Sequence, residues 1–245
     1  MVFRQMILVF LRAPEPGKVK TRLAKHLGAR LALSFYTNFV HDTLNTINAL
    51  EIPVRICFYP STGKDVVTSW LGDAYTYWCQ SGENLGQRME YAFVRAFETG
   101  MDRALLIGTD IPDLPGRIIE EALTALTSHD AVIGPSADGG YYLIGFTARG
   151  FLPAIFDGIR WGQADVFART MEIFNSHKRS VHCLPVWQDI DELADLLSYA
   201  ERNSGDNATG KSTAALIAEC IQLTEKENKP NAISVPYPLK KGDWK

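Results

Sequence analysis

Two periodicities alternate along this chain. Gln5 to Leu11 is a continuous apolar, β-prone run, the pattern of a strand buried on both faces. From about Thr21 to Leu50 the apolar residues Leu23, Leu27, Leu31, Phe35, Phe39 and Val40 recur at helical spacing, which predicts one long helix. Further strands are predicted over Pro53–Tyr59, Tyr75–Cys79, Arg103–Ile107, Ala131–Gly134, Tyr141–Phe146 and His182–Val186. Helices are predicted over Gly63–Leu71, Leu85–Glu98, Gly116–Leu126, Asp165–Asn175 and Glu192–Glu201. Strands alternating with helices imply βαβ units and a mostly parallel α/β sheet with helices on both faces. Such sheets bind ligands beyond the carboxyl ends of their strands, so the loops that follow strands carry the interest.

After about Asn203 the character changes. A polar stretch leads into one amphipathic helix, about Thr213 to Glu227, and then into a tail with three prolines and four lysines. The expected division is a nucleotide-binding domain over 1–203 and a helical extension with tail over 204–245. The chain has 245 residues, 46% of them apolar, enough for a sizeable core. A net charge of −3 gives no sign of nucleic-acid or membrane-surface binding. Cys57, Cys79, Cys183 and Cys220 are scattered, without zinc spacing, and are expected to be free buried thiols. No segment is apolar for long enough to span a bilayer, so a cytoplasmic protein is expected.

Four loops carry candidate chemistry. The first runs from Arg12 to Leu23 and holds Arg12, Gly17, Lys18, Lys20 and Arg22. Its cations and the helix start that follows suit phosphate oxygens, against the commoner fate of a solvated basic turn. The second is Gly108-Thr-Asp110-Ile-Pro-Asp113-Leu114. Asp110, at a strand end, suits Mg²⁺ or Mn²⁺ held against a diphosphate, whereas Asp113 is expected to cap the next helix. The third is Ser136-Ala-Asp138-Gly139-Gly140, a strong hairpin signal in which Asp138 could also contact a sugar hydroxyl or act as a base. The fourth is Trp187-Gln-Asp189-Ile-Asp191-Glu192. Its aspartates either complete a metal site with Asp110 or leave Asp191 to cap the following helix.

Taken together, RAPEPGKVKTRL, GENLGQRM, GTDIPDL, GPSADGGYYLIG, RWGQADVFART and DIDELADL resemble the GT-A-type nucleotide-diphospho-sugar transferases. Within them the chain is most similar to the bacterial DUF2064, or "transferase 1, rSAM/selenodomain-associated", glycosyltransferase-like group. The resemblance spans about Gln5 to Arg202. It implies a GT-A, Rossmann-like fold, with Arg12, Gly17, Lys18, Lys20 and Arg22 along the nucleotide phosphates. It places Leu85, Gly86 and Arg88 near the nucleotide and makes Asp110 and Asp191 the metal-binding pair, with Mg²⁺ or Mn²⁺ as cofactor. The partners it implies are a nucleotide-sugar or nucleoside triphosphate and a small-molecule acceptor. Two chemistries compete, glycosyl transfer and nucleotidyl transfer to a phosphorylated acceptor. A non-catalytic nucleotide-binding protein is the alternative from another class.

One motif points elsewhere. Gly205-Asp-Asn-Ala-Thr-Gly210-Lys211-Ser212 matches the phosphate-cradling pattern GxxxxGK[ST]. That pattern needs a buried strand before it, and here a helical segment precedes it. A polar linker, with Ser212 or Thr213 capping the last helix, is expected instead.

Overall fold

In the computed structural model, residues 4–203 and 210–226 are described. The strands are β1 (Gln5–Arg12), β2 (Val54–Tyr59), β3 (Thr76–Cys79), β4 (Arg103–Ile107), β5 (Ala131–Pro135), β6 (Tyr141–Thr147) and β7 (Val181–Cys183). They form one sheet in the order β3-β2-β1-β4-β6-β5-β7. β1 pairs in parallel with β2 and β4, β2 with β3, and β5 with β7, while β6 runs antiparallel between β4 and β5. The connections explain this. β5 and β6 are joined by a tight turn, which can only reverse the chain, whereas helical crossovers join parallel neighbours.

The helices are α1 (Thr21–Leu27), α2 (Ala29–Asn48), α3 (Lys64–Leu71), α4 (Leu85–Glu98), α5 (Gly116–Ala125), α6 (Val166–Ser176), α7 (Leu193–Arg202) and α8 (Lys211–Lys226). Alternation along β1 builds two cores at once. Ile7, Val9 and Leu11 pack with Val40 and Leu44 of α2, Val67 of α3 and Ile118 of α5. Met6, Leu8 and Phe10 pack on the other face with Met89 and Phe93 of α4 and Phe174 of α6. A strand buried on both faces is therefore apolar throughout, as its run of residues indicates. A third cluster joins Leu23, Phe35, Phe39, Leu196, Tyr199 and Leu216, so α1, α2, α7 and α8 form a helical layer of their own.

The expected helix from Thr21 to Leu50 is two helices. Gly28 adopts φ 78°, ψ 157°, ending α1 and starting α2 in a new direction. The last strand is shorter than expected because Pro185 has no N–H to give the ladder. Asp113 does not cap α5. It is buried, and its carboxylate accepts from Trp187 Nε1 at 3.2 Å and Asn203 Nδ2 at 3.0 Å, while Pro115 stands at the N-cap of α5. None of the four cysteines is in a disulfide; Cys57 and Cys220 are buried as expected, whereas Cys79 is half-buried and Cys183 exposed. No helix among the described residues is long and apolar enough to cross a membrane.

The start of α8 explains the GxxxxGK[ST] match. Residues 205–209 of that stretch lie outside the described residues. The amides of Ser212 and Thr213 both donate to the buried carboxylate of Asp42 on α2, at 3.0 and 2.8 Å, and Thr213 Oγ1 adds a third bond at 2.8 Å. The helix start thus already holds an anion, one supplied by α2 and not by Ser212 or Thr213. The substitution Asp42→Ala leaves three donors unpaired, two of them buried. The expected loss is about 2 kcal/mol of unfolding free energy, measured by urea denaturation.

Candidate active site

The carboxyl edge of the sheet opens into a cleft of about 620 Å³. Because β6 is antiparallel, its first residues, Tyr141 and Tyr142, reach the same edge as the last residues of β1, β2 and β4.

The wall is organised around Lys20. Lys20 takes the left-handed conformation φ 44°, ψ 47° immediately before α1. Its ammonium lies 2.6 Å from Asp110 Oδ1 and 2.8 Å from Asp191 Oδ1, and it donates to the Ile190 carbonyl at 2.7 Å. The Ile190 amide in turn donates to the Asp110 carbonyl at 2.9 Å. Three loops, following β1, β4 and β7, are therefore pinned at one point. Burial works against the ammonium's charge, but Asp110 and Asp191 outweigh it and hold its pKa above the ordinary lysine value. The side chain of Lys20 is 5% exposed, against 48% for Asp110 and 40% for Asp191. The cation lies beneath the carboxylates, and the carboxylates face the cleft.

Asp191 does not cap α7. Glu192 is the N-cap, in a reciprocal capping box with Asp195, whose Oδ2 accepts from Glu192 N at 2.8 Å and Asp191 N at 3.0 Å. That leaves the Asp191 side chain to Lys20. Asp189, two residues earlier, also lines the cleft. Burial, with Asp138, Asp191 and Asp110 nearby, pushes its carboxyl up to about 6. Composition gave no reason to prefer Asp189 over Asp191; only the fold shows it half enclosed among like charges.

Asp138 lies on the wall, but its Oδ1 is occupied. It accepts from the Gly140 amide at 2.9 Å and from the Ser136 hydroxyl, closing the β5–β6 turn. Gly139 sits at φ 89°, and a Cβ there would come within 2.0 Å of the Ala164 carbonyl oxygen. Its own carbonyl accepts from Phe167 N at 2.9 Å. The glycine therefore lets the turn dock against the segment that carries Trp161, Gly162 and Gln163, all on the cleft wall.

At the other end, Arg88 stacks on Tyr59, 3.8 Å from the ring centroid, and Arg12 lies 5.3 Å from the same ring. Among the described residues neither guanidinium has a carboxylate within 4.0 Å. Lys18 pairs with Glu15 at 2.7 Å and Arg22 approaches Glu192 at 3.8 Å; both are exposed and line the cleft. Gly17 makes the turn before Lys18, at φ 74°, and is not on the wall. Leu85 is on it; Gly86 is packed behind it, where a Cβ would meet Phe156 O and Trp161 Cζ2 at 2.6 Å.

Among the described residues no three His, Cys, Asp or Glu side chains converge to make a complete metal cage. The donor set suits a different kind of cation site. Asp110 and Asp191 each give Lys20 only Oδ1. A pair of hard oxygen donors facing an open cleft matches how Mg²⁺ is usually held, by one or two carboxylates plus substrate phosphates and water.

Residues 42–163 match the family model described as DUF2064, an uncharacterized protein conserved in bacteria. No protein of curated function matches the sequence. Among solved structures, a protein from Desulfovibrio desulfuricans G20, described as a candidate nucleotide-diphospho-sugar transferase, is 40% identical, with a TM-score of 0.86 over 92% of this chain and 98% of that one. A CMP:2-keto-3-deoxy-manno-octonic acid synthetase complexed with CTP shares the fold at 10% identity, TM-score 0.50, over 88% of this chain and 99% of its own. A 4-diphosphocytidyl-2C-methyl-D-erythritol synthase from Anaerococcus prevotii DSM 20548 does so at 13% identity, TM-score 0.51, over 79% and 94%. The GT-A, Rossmann-like class is the fold observed.

Gly139→Ala tests the docking of the β5–β6 turn. It combines a strained φ with a backbone clash, and should lower stability by about 2–4 kcal/mol in denaturant titrations. A loss under about 0.5 kcal/mol would mean that the turn and the Trp161 segment are not held together as described.

Proposed function

The chain belongs to the bacterial DUF2064 family, and from that premise we propose that it is a divalent-cation-dependent transferase that moves a sugar from a nucleoside diphosphate-sugar to a hydroxyl acceptor. The observation that carries this reading is how charge is divided along the cleft. Among the described residues, Arg12 and Arg88 flank Tyr59 at the β2 side of the cleft, Asp138 and Asp189 lie at the β5–β7 side, and the Lys20-bound pair Asp110 and Asp191 stands between them. One side therefore favours an anion, the middle a cation that bridges to it, and the far side a hydroxyl-rich group. A nucleoside diphosphate-sugar has that order.

In this reading Arg12 and Arg88 meet the nucleoside diphosphate, with Tyr59 as their stacking support. Lys18 and Arg22 close over the phosphates from the exposed loop. Lys20 does not reach them, because its ammonium is committed to Asp110 and Asp191. Those two carboxylates hold Mg²⁺ or Mn²⁺, which supplies neutralisation of the charge that develops on the departing diphosphate. Asp189, half-buried on the same wall beside Asp191, is the residue placed to take the proton of an attacking hydroxyl. Asp138 holds the turn that shapes the acceptor end and offers its remaining oxygen there. Nucleotidyl transfer is less well supported. It needs a phosphorylated acceptor, and no cation lines the cleft between residues 108 and 191.

The test is a thermal-shift screen of nucleotides and nucleotide-sugars with and without Mn²⁺ or Mg²⁺. A nucleoside diphosphate-sugar should stabilise the protein, and chelation should abolish the effect. Asp110→Asn should stay folded and lose the cation-dependent part. Arg88→Ala should weaken donor binding roughly tenfold, about 1.4 kcal/mol. Response to a triphosphate alone, with pyrophosphate released on adding a phosphorylated acceptor, would replace this reading by nucleotidyl transfer. Cation-independent binding without turnover would replace it by a regulatory role.

A further inference from the structure

Lys20 is a lysine with no hydrogen left to offer a ligand. An ammonium has three N–H bonds, and Asp110 Oδ1, Asp191 Oδ1 and Ile190 O take them at 2.6, 2.8 and 2.7 Å. Its side chain is 5% exposed. Beyond these oxygens, the group facing it is the Phe39 ring, 5.7 Å from the ammonium to the centroid. The backbone that delivers it is left-handed at a residue with a Cβ, a conformation that persists only where the surroundings hold it in place. Lys20 is thus fixed below the carboxylates from both ends of its side chain.

This has a consequence for the charge of the pair. Two carboxylates and one ammonium within hydrogen-bonding distance carry a net charge of −1. Oxygen sites gain cation affinity with the number of charged ligands, and a fixed positive group beside them subtracts from it. A phosphate group placed against the same two carboxylates restores what the ammonium removes.

We propose that Lys20 is a built-in counter-ion that keeps the Asp110–Asp191 pair from capturing a divalent cation by itself and makes capture conditional on the phosphates of the donor. The proposal rests on the reading that Asp110 and Asp191 are the cation's ligands. Cation and donor then strengthen each other's binding by the same factor, as linkage requires. The role of Lys20 in that scheme is electrostatic and positional, with no contact to the reacting atoms.

The experiment measures Mn²⁺ uptake by the full chain without turnover. Bound and free ion are counted by electron paramagnetic resonance, with correction for Mn²⁺ bound to free nucleotide. Uridine, cytidine, guanosine and adenosine diphosphates serve as probes, because the base is open. Wild type should bind Mn²⁺ at least tenfold more tightly in the presence of one of these diphosphates than without it. Lys20→Gln keeps a hydrogen-bond donor and removes the charge. It should bind Mn²⁺ at least tenfold more tightly than wild type with no nucleotide, and the diphosphate should add little. Lys20→Met is the second variant, and circular dichroism checks that each is folded. Adding Asp191→Asn to Lys20→Gln should erase the gain. Variants that bind no more tightly than wild type, while wild type keeps its diphosphate-dependent uptake, would overturn the counter-ion role and leave the transferase reading intact. Equal Mn²⁺ affinity of wild type with and without diphosphate would overturn it whatever the variants do. No uptake by wild type under any of these conditions would sink both.

Discussion

One buried ammonium organises this protein's cleft. The sheet brings the loops after three different strands to one edge, but two aspartates there would repel each other. Lys20 resolves this by taking Asp110, Asp191 and the Ile190 carbonyl in a single set of contacts. Desolvating a lysine is costly, and three short charge-assisted or carbonyl contacts offset that cost. The left-handed backbone at Lys20 shows that local chain preference yields to this tertiary demand.

The sheet sets the stage for it. A sheet in which all strands but β6 run one way gathers its loop ends on one edge, and the reversal at β6 adds the β5–β6 turn to the same edge. Asp138 is spent on closing that turn, and Gly139 lets it press against the Ala164 carbonyl. Lys18 and Arg22, by contrast, are exposed and paired at the surface.

Much of this was legible in the order of residues. Gln5–Leu11 announced a doubly buried strand by being apolar without alternation, and Leu85–Glu98 announced its helix by its spacing. The break at Gly28 was missed because apolar spacing continues on either side of it, and a single glycine is a weak stop signal. The four loops were visible as candidates, since each follows a strand or closes the β5–β6 turn. Their internal assignments were not. Whether Lys20 reaches outward or downward, and whether Asp138 or Asp189 is the enclosed carboxyl, depends on contacts between residues more than fifty positions apart. Sequence spacing carries no information about those. The Asp42 contact with the start of α8 is of the same kind, 170 positions long, and no local pattern predicts it.

The cleft wall is supplied by two separate stretches of the chain. Among the described residues its lysines and arginines come from 12–88 and its carboxylates from 110–191, and Lys20 is where the two stretches are tied together. Ser136 and Gln163 line the wall from the second stretch, whereas the stack of Arg12 and Arg88 on Tyr59 belongs wholly to the first. Substitutions at Ser136 or Gln163 can therefore remould one side of the cleft while that stack keeps its own support.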